Sequence, residues 1–559
     1  MSNNSVYVAN QEIFERIPGN PIAYWVSEKF SNLFTIESIV DKYALKVCKG
    51  GFTGRNDFYL RYWFEVDINK IPSKWNRYSK GGSYRRWYGN SLFVILWEGD
   101  GSKLKREPKA GVGASKYYGK EHFVWSGIST GLASFRYDPK EIFFDDVSPA
   151  VVFSGEPKYE ILGLLNSKVV IEMLKFIAPT MHFQAGDIKM IPVHQGIFGA
   201  GIEIIKDNIK IAKEDWDSFE ISWDFEKHPL LSVIQNNRRL FDKNDDITIE
   251  ECFSFWELEC RDRFNQLKKN EEELNNTYID IYGLHDELTS EVDDKDISVH
   301  MADFGRDIRS LISYAVGCMF GRYSLDGDGL IFAGGEFDKL KYKTFSPDTD
   351  AIIPITDEQY FDDDIVGRFE DFIKVVFGSK SLETNLEYIA EALGTKGNSS
   401  RDKIRTYFLN DFYKDHCNTY SVAGSGKRPI YWLFDSGKQN GFKCLIYLHR
   451  YTPDTVGLIR SDYLTKAQSM IENALKNAEY AISTSGSAVD RAQATKKRDK
   501  YIKQLAEIRA YYPALSHIAL QRINLDLDDG VKVNYAKFQG IEVTEDGGKR
   551  QTIDLLAKI

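Results

Sequence analysis

Near the end of the chain, apolar residues recur at alternating steps of three and four. Leu464, Ala467, Ile471, Ala474 and Ala478 follow this rule, and Tyr501, Leu505, Ile508 and Tyr512 repeat it beyond a Ser- and Gly-containing turn, Ser483 to Ser487. Each set lines one face of a helix, so the spacing predicts an antiparallel helical hairpin whose small alanines let the second helix approach closely. The same rule over Leu164, Leu165, Val169, Met173, Leu174 and Ile177 predicts one helix through GLLNSKVVIEMLKFI, ended by Pro179, which cannot continue it. A further helix carries Ile308, Leu311, Ile312, Ala315 and Met319 on one face, with Asp303 placed to cap it.

Short β-like runs dominate earlier, at Tyr59 to Val66, Ser91 to Glu98, Glu141 to Phe144 and Ala150 to Phe153, among many glycines and aromatics. The pattern predicts an α+β chain. A mixed α/β domain over 1–200 is followed by a helical connecting region over 201–335, then a mixed α/β region over 336–455 containing the run Lys443 to His449, and the hairpin with its tail over 456–559. No apolar run approaches the roughly 20 residues a membrane-spanning helix needs, and no basic segment precedes an apolar one at the start, so no membrane partner and a cytoplasmic location are expected.

Charge changes this picture. The 559 residues carry a net charge of -10, which argues against a polyanionic partner. From Lys46 to Lys120, however, 16 Lys and Arg face 6 Asp and Glu, a local excess of about +10 on an otherwise acidic chain. The six cysteines form no CxxC pair and the nine histidines are scattered, so neither a zinc ribbon nor any other metal site is predicted.

Within the basic stretch, KWNRYSKGGSYRRWYGN (Lys74 to Asn90) follows GGFTGRNDFYLRYWFEV (Gly50 to Val66). Cations interleaved with aromatics and glycines suit phosphate contact, stacking and close backbone approach to a groove, which makes Arg55, Lys74, Arg77, Lys80, Arg85, Arg86, Trp87 and Tyr88 candidate DNA-binding residues. The competing reading is a solvated hairpin in which Trp75, Trp87 and Trp97 pack and the cations face water.

These two runs, then FVWSGISTGLASFRY and LGLLNSKVVIEMLKFIAPTMHFQAGDIKMIPV, resemble the target-recognition region of the PglX family, the adenine-specific DNA methyltransferases of BREX phage defence, more loosely related to single-chain restriction and modification enzymes. KEDWDSFEISWDF, IDIYGLHDEL, SYAVGCMFGRYSLD, KRPIYWLFDSGKQNGFKCLIYLHRY and DLDDGVKVNYAKFQ continue the resemblance in order, from about Gln11 to the C-terminus.

The resemblance implies recognition of double-stranded DNA for a complete enzyme that uses S-adenosylmethionine. In that family the catalytic domain lies N-terminal to the matched region, so the implied partners are a methyltransferase domain or subunit and other BREX components, with Met1 marking a split gene or a truncation. An adenine methyltransferase needs a Gly-rich cofactor turn and a tetrad with two consecutive prolines and an aromatic, which hold the flipped base. This chain contains no Pro-Pro dipeptide. No methyltransferase Rossmann-like domain, no catalytic residue and no cofactor are therefore expected here, and the chain alone is expected to be inactive. A non-catalytic DNA-binding or docking module is the alternative.

Four short patterns imitate chemistry weakly. GIFGAGIE (Gly196 to Glu203) has glycines but sits where the family has a connecting helix; AGSGKRP (Ala423 to Pro429) lacks the Ser or Thr of a phosphate loop. Asp145, Glu156 and Lys158 have a nuclease-like order only, and Asp326 with Asp328 lack the further ligands of a calcium loop, so a glycine-rich turn is expected there.

Overall fold

The computed structural model describes residues 11–22, 25–129, 131–236, 247–422, 426–544 and 550–559. Three residues of the phosphate-loop imitation, Ala423 to Ser425, lie outside them. The chain forms two units assembled from interleaved segments: one from 1–63, 70–224 and 257–302, the other from 64–69, 225–256 and 303–559.

The first unit holds two four-stranded sheets. Lys46–Cys48 (β1), Leu60–Tyr62 (β2), Trp75–Ser79 (β3), Phe93–Leu96 (β4), His122–Trp125 (β5), Phe135–Asp138 (β6), Phe143–Phe144 (β7) and Ala150–Val152 (β8) pair in the orders β1-β8-β5-β6 and β2-β4-β3-β7. All these ladders are antiparallel except β3 with β7. Alternation of side chains across a strand explains the layering. Phe123, Trp125, Phe135 and Val151 enter the main core, where they meet Leu162, Leu165, Val169, Met173, Leu267 and Tyr278 from helices. Val124, Ala150 and Val152 point the other way, onto Phe144.

The predicted helix through Ser167 is two helices, Tyr159–Asn166 (α1) and Lys168–Ile177 (α2), with Ser167 extended between them at φ -76° and ψ 157°. Side-chain bonds cause the break. Asn166 accepts from the Phe135 amide at 3.0 Å and donates to the Phe135 carbonyl at 3.0 Å, occupying both backbone groups of a β6 residue. Ser167 Oγ donates to the Leu164 carbonyl at 2.6 Å, and Asn275 caps the restart by accepting from the Lys168 amide at 2.9 Å. Apolar periodicity survives such a break because both helices pack on one core. Helix Ile202–Asp217 (α3) and the portion from Glu257 of helix Ile249–Tyr282 (α4) complete the unit.

In the second unit, Asp303 caps helix Phe304–Phe320 (α5) by accepting from the Arg306 amide, and Ile308, Leu311, Ile312, Ala315 and Met319 are buried as the spacing predicts. Ile352–Pro354 (β9), Tyr431–Asp435 (β10) and Lys443–Tyr447 (β11) form an antiparallel sheet ordered β10-β11-β9. The helical hairpin is present as Thr465–Thr484 (α6) and Ala488–Gln521 (α7). Leu464, Ala467, Ile471, Ala478, Tyr501, Leu505 and Ile508 are buried in its seam, but Tyr511 takes the place expected of Tyr512, which stays 39% exposed. The stripe continues through Leu515 and Ile518, and 511 rather than 512 lies on that line.

Asp326 is a turn former: its carboxylate accepts from the amides of Lys343 and Thr344 and from the Thr344 hydroxyl, while Asp328 pairs with Lys227 at 3.0 Å. Among the described residues no group of His, Cys, Asp and Glu is arranged to hold a metal, and no helix is long and apolar enough to cross a membrane.

Candidate nucleic-acid interface

Strand β3 turns Trp75 and Tyr78 inward, and the chain beyond it folds back through a run of positive φ at Gly81, Gly82, Trp87, Gly89 and Asn90. Glycine is required at two of these positions. A Cβ on Gly82 would meet the Asn90 side chain at 2.6 Å, and one on Gly89 would meet Arg85 Nε at 2.8 Å and the Trp216 ring at 3.0 Å. The result is a loop whose Arg85, Arg86, Trp87 and Tyr88 side chains enter the interior.

Each of those side chains has a partner there. Arg85, 3% exposed, donates to Asp215 at 2.8 Å and stacks on Trp216 with its guanidinium 4.9 Å from the ring centroid. Burial alone would raise the Asp215 carboxyl, but hydrogen bonds from His300 and the charge of Arg85 hold it down at about 2. Arg86, also 3% exposed, donates to Glu271 at 2.7 Å, and Trp87 Nε1 donates to the other oxygen of the same carboxylate at 2.7 Å. Burial works against the Arg86 charge, and Glu271 together with Tyr84 and Asp296 more than offsets it, so the guanidinium sits above its ordinary value. Tyr88 is buried, with its hydroxyl 3.4 Å from Asp224.

This corrects both readings of the stretch. Trp75, Trp87 and Trp97 do pack, but Arg85 and Arg86 neither face water nor stand at the surface for a ligand, because α3 and α4 bring carboxylates to them. Lys80 is tied to the buried Asp145 at 2.8 Å, which also removes Asp145 from any metal-gripping role. Arg77 is half-buried over Trp223 at 5.0 Å, and Lys74 is half-buried. Of the eight candidates, Arg55 alone is classed as exposed. Part of the local excess of positive charge in the sequence is therefore matched from elsewhere: Lys80, Arg85 and Arg86 are neutralised by Asp145, Asp215 and Glu271.

The solvent-facing cations stand on segments outside the 74–90 stretch. Residues 52 and 111 form an isolated antiparallel bridge, each amide donating to the other's carbonyl at 2.9 Å, which clasps 50–58 to 98–116. The GGFTG run fits this clasp. Gly51 donates to the Tyr118 hydroxyl at 3.3 Å and accepts from the Tyr78 hydroxyl at 2.7 Å, and Gly54, at φ +67°, leaves 2.4 Å between an added Cβ and the Lys109 carbonyl oxygen. Phe58 lies under both Arg55, at 5.2 Å, and Lys103, at 4.4 Å. Lys49, Lys103, Lys105, Arg106, Lys109 and Lys116 are exposed on these segments. They belong to the same 46–120 charge excess; the absence of nearby aromatics in SKLKREPK made them less conspicuous than the 74–90 run.

The imitation cofactor loop at Gly196–Glu203 is a short turn followed by α3, entered through Gly201 at φ 67°.

No protein-family model matches the chain. It is 41% identical over 565 residues to the adenine-specific methyltransferase PglX of Lacticaseibacillus casei (strain Zhang), an alignment covering 96% of this chain and 46% of that protein. It is 37% identical over 572 residues to the adenine-specific methyltransferase BrxX of Escherichia coli O9:H4 (strain HS), covering 94% of this chain and 45% of that protein. Over nearly all of its length, then, the chain is similar to part of the adenine-specific methyltransferases PglX and BrxX, and it spans a little under half the length of each.

Proposed function

We propose that the chain is the target-recognition part of an adenine-specific DNA methyltransferase of BREX phage defence, and that methyl transfer from S-adenosylmethionine is carried out by residues outside it. The observation that carries this reading is the asymmetry of coverage: almost the whole chain aligns with methyltransferases of which it represents under half. The absence of a Pro-Pro dipeptide supports placing the flipped-base tetrad in the remainder. Its partners on this reading are duplex DNA, the methyltransferase part and other components of the defence complex. The buried Arg85, Arg86, Trp87 and Tyr88 shape the unit, and DNA contact falls to exposed groups.

Competition at moderate salt tests this. A duplex carrying the site methylated in the host genome should outcompete a random duplex by roughly 4 kcal/mol or more, about a thousandfold. Equal competition by random duplexes at every salt concentration refutes sequence recognition. Tight calorimetric binding of S-adenosylmethionine to this chain refutes the assignment of methyl transfer to residues elsewhere.

A further inference from the structure

The clasped segments of the first unit differ from the rest of the basic stretch in how their charges are satisfied. Lys105 is held by Asp100 at 2.6 Å and Arg55 lies 3.6 Å from Glu107. Among the described residues no carboxylate pairs with Lys49, Lys103, Arg106, Lys109 or Lys116. Between them Phe52 rests one side of its ring on Gly111, where an added Cβ would come within 2.3 Å, and remains 46% exposed.

From these observations we infer that the lobe built from 49–58 and 98–116 is the surface that grips the phosphate backbone of duplex DNA, with Lys49, Arg55, Lys103, Arg106, Lys109 and Lys116 neutralising phosphates and Phe52 lying against sugar. The inference rests on the reading of the chain as a DNA-recognition part and assigns that role to residues the 74–90 stretch does not contain. Three physical arguments favour it. Lys49, Lys103, Arg106, Lys109 and Lys116 break no ion pair when they meet a phosphate, unlike Arg85 or Arg86. The mutual Phe52–Gly111 backbone bonds and the close seat of Gly54 fix the frame that carries them, so little order remains to be lost on binding. Phe52 is the exposed large apolar side chain of the lobe, too little for a membrane face or a protein-interface core, and a lone aromatic does not make the stacking platform of a single-strand binder.

The test uses the whole chain, a labelled duplex of about 24 base pairs and anisotropy titrations between about 50 and 300 mM salt. Each phosphate contact contributes about 0.9 to the slope of log affinity against log salt, so the triple variant Lys103→Gln/Arg106→Gln/Lys109→Gln should lower the slope magnitude by about 2 to 3 and weaken binding at least tenfold at low salt. Lys49→Gln/Lys116→Gln provides a second, independent loss of about 2 should the triple variant melt early. The exposed α3 pair Lys206→Gln/Lys210→Gln is the control and should leave the slope unchanged. A folded lobe variant with the wild-type slope overturns the surface while leaving DNA recognition standing; so does a control that loses as much slope as the lobe. A wild-type chain that binds no duplex overturns both, and single strands competing as well as duplex overturn the duplex assignment.

Discussion

Replacing Glu271 by Ala strands two buried donors at once, Arg86 Nη1 and Trp87 Nε1, which share its carboxylate. Removing one partner of a buried ion pair costs about 3 to 5 kcal/mol, and an unsatisfied buried N–H about 1 to 3 kcal/mol. The two losses occur at one site and do not add in full, so about 4 to 6 kcal/mol is expected, a large part of the roughly 5 to 15 kcal/mol that holds a domain folded. Urea unfolding followed by tryptophan fluorescence should show the loss as a lower midpoint, and hydrogen exchange of the 84–90 amides should rise with it. Glu271→Gln keeps an acceptor for the indole and should lose less. Arg86→Met with Glu271→Met should recover the part of the loss due to the stranded guanidinium, because a buried pair replaced by apolar groups of similar size is often neutral, but not the part due to the Trp87 indole, which still lacks its acceptor. Loss of under about 1 kcal/mol in Glu271→Ala refutes the structural role. An Arg86→Ala chain of normal stability but reduced salt slope would return Arg86 to the DNA.

In the second unit the Asp348 carboxyl is raised to about 7 by burial, by its hydrogen bond with Asp350 and by the charges of Asp350 and Asp363, with the Arg450 guanidinium also close by and Tyr463 bonded to both neighbouring aspartates. A raised carboxyl binds its proton more tightly folded than unfolded, so this stability is complete below about pH 4 and is lost as pH rises through about 7. Asp348→Asn should flatten stability between those limits; parallel pH curves for the two proteins refute the assignment. Gly54→Ala forces a Cβ onto the Lys109 carbonyl at positive φ and should cost about 1 to 2 kcal/mol, with trypsin cutting faster at 103–109; an unchanged digestion rate would show that the clasp tolerates it.

The hairpin seam and the Asp303 cap were legible in the sequence because both depend on neighbours three or four residues away. The break at Ser167 was not, since it is made by Asn166 bonding to Phe135 and by Asn275 arriving from α4. Tyr511 and Tyr512 are adjacent tyrosines, and only the continuation of the stripe through Leu515 distinguishes them. For the candidate interface, the local charge and aromatic pattern points to the cations of 74–90, yet Arg85 and Arg86 of that run are buried. The acids that bury Arg85 and Arg86 come from 130 and 185 residues downstream, beyond any local pattern. What the glycines of GGFTG do, seating one loop on another, also needs the partner segment to be seen.

Those long separations also order events during synthesis. At about 5 to 20 residues per second, the ribosome needs roughly 10 to 40 s after Arg86 emerges to deliver Glu271, which stands 185 positions downstream. Until then the Arg86 guanidinium lacks the carboxylate it is buried against, and burying it unpaired would carry the full desolvation cost of a charge. The Arg86–Glu271 ion pair can therefore form only after this part of α4 has been made, however early the strands of the first unit were synthesised.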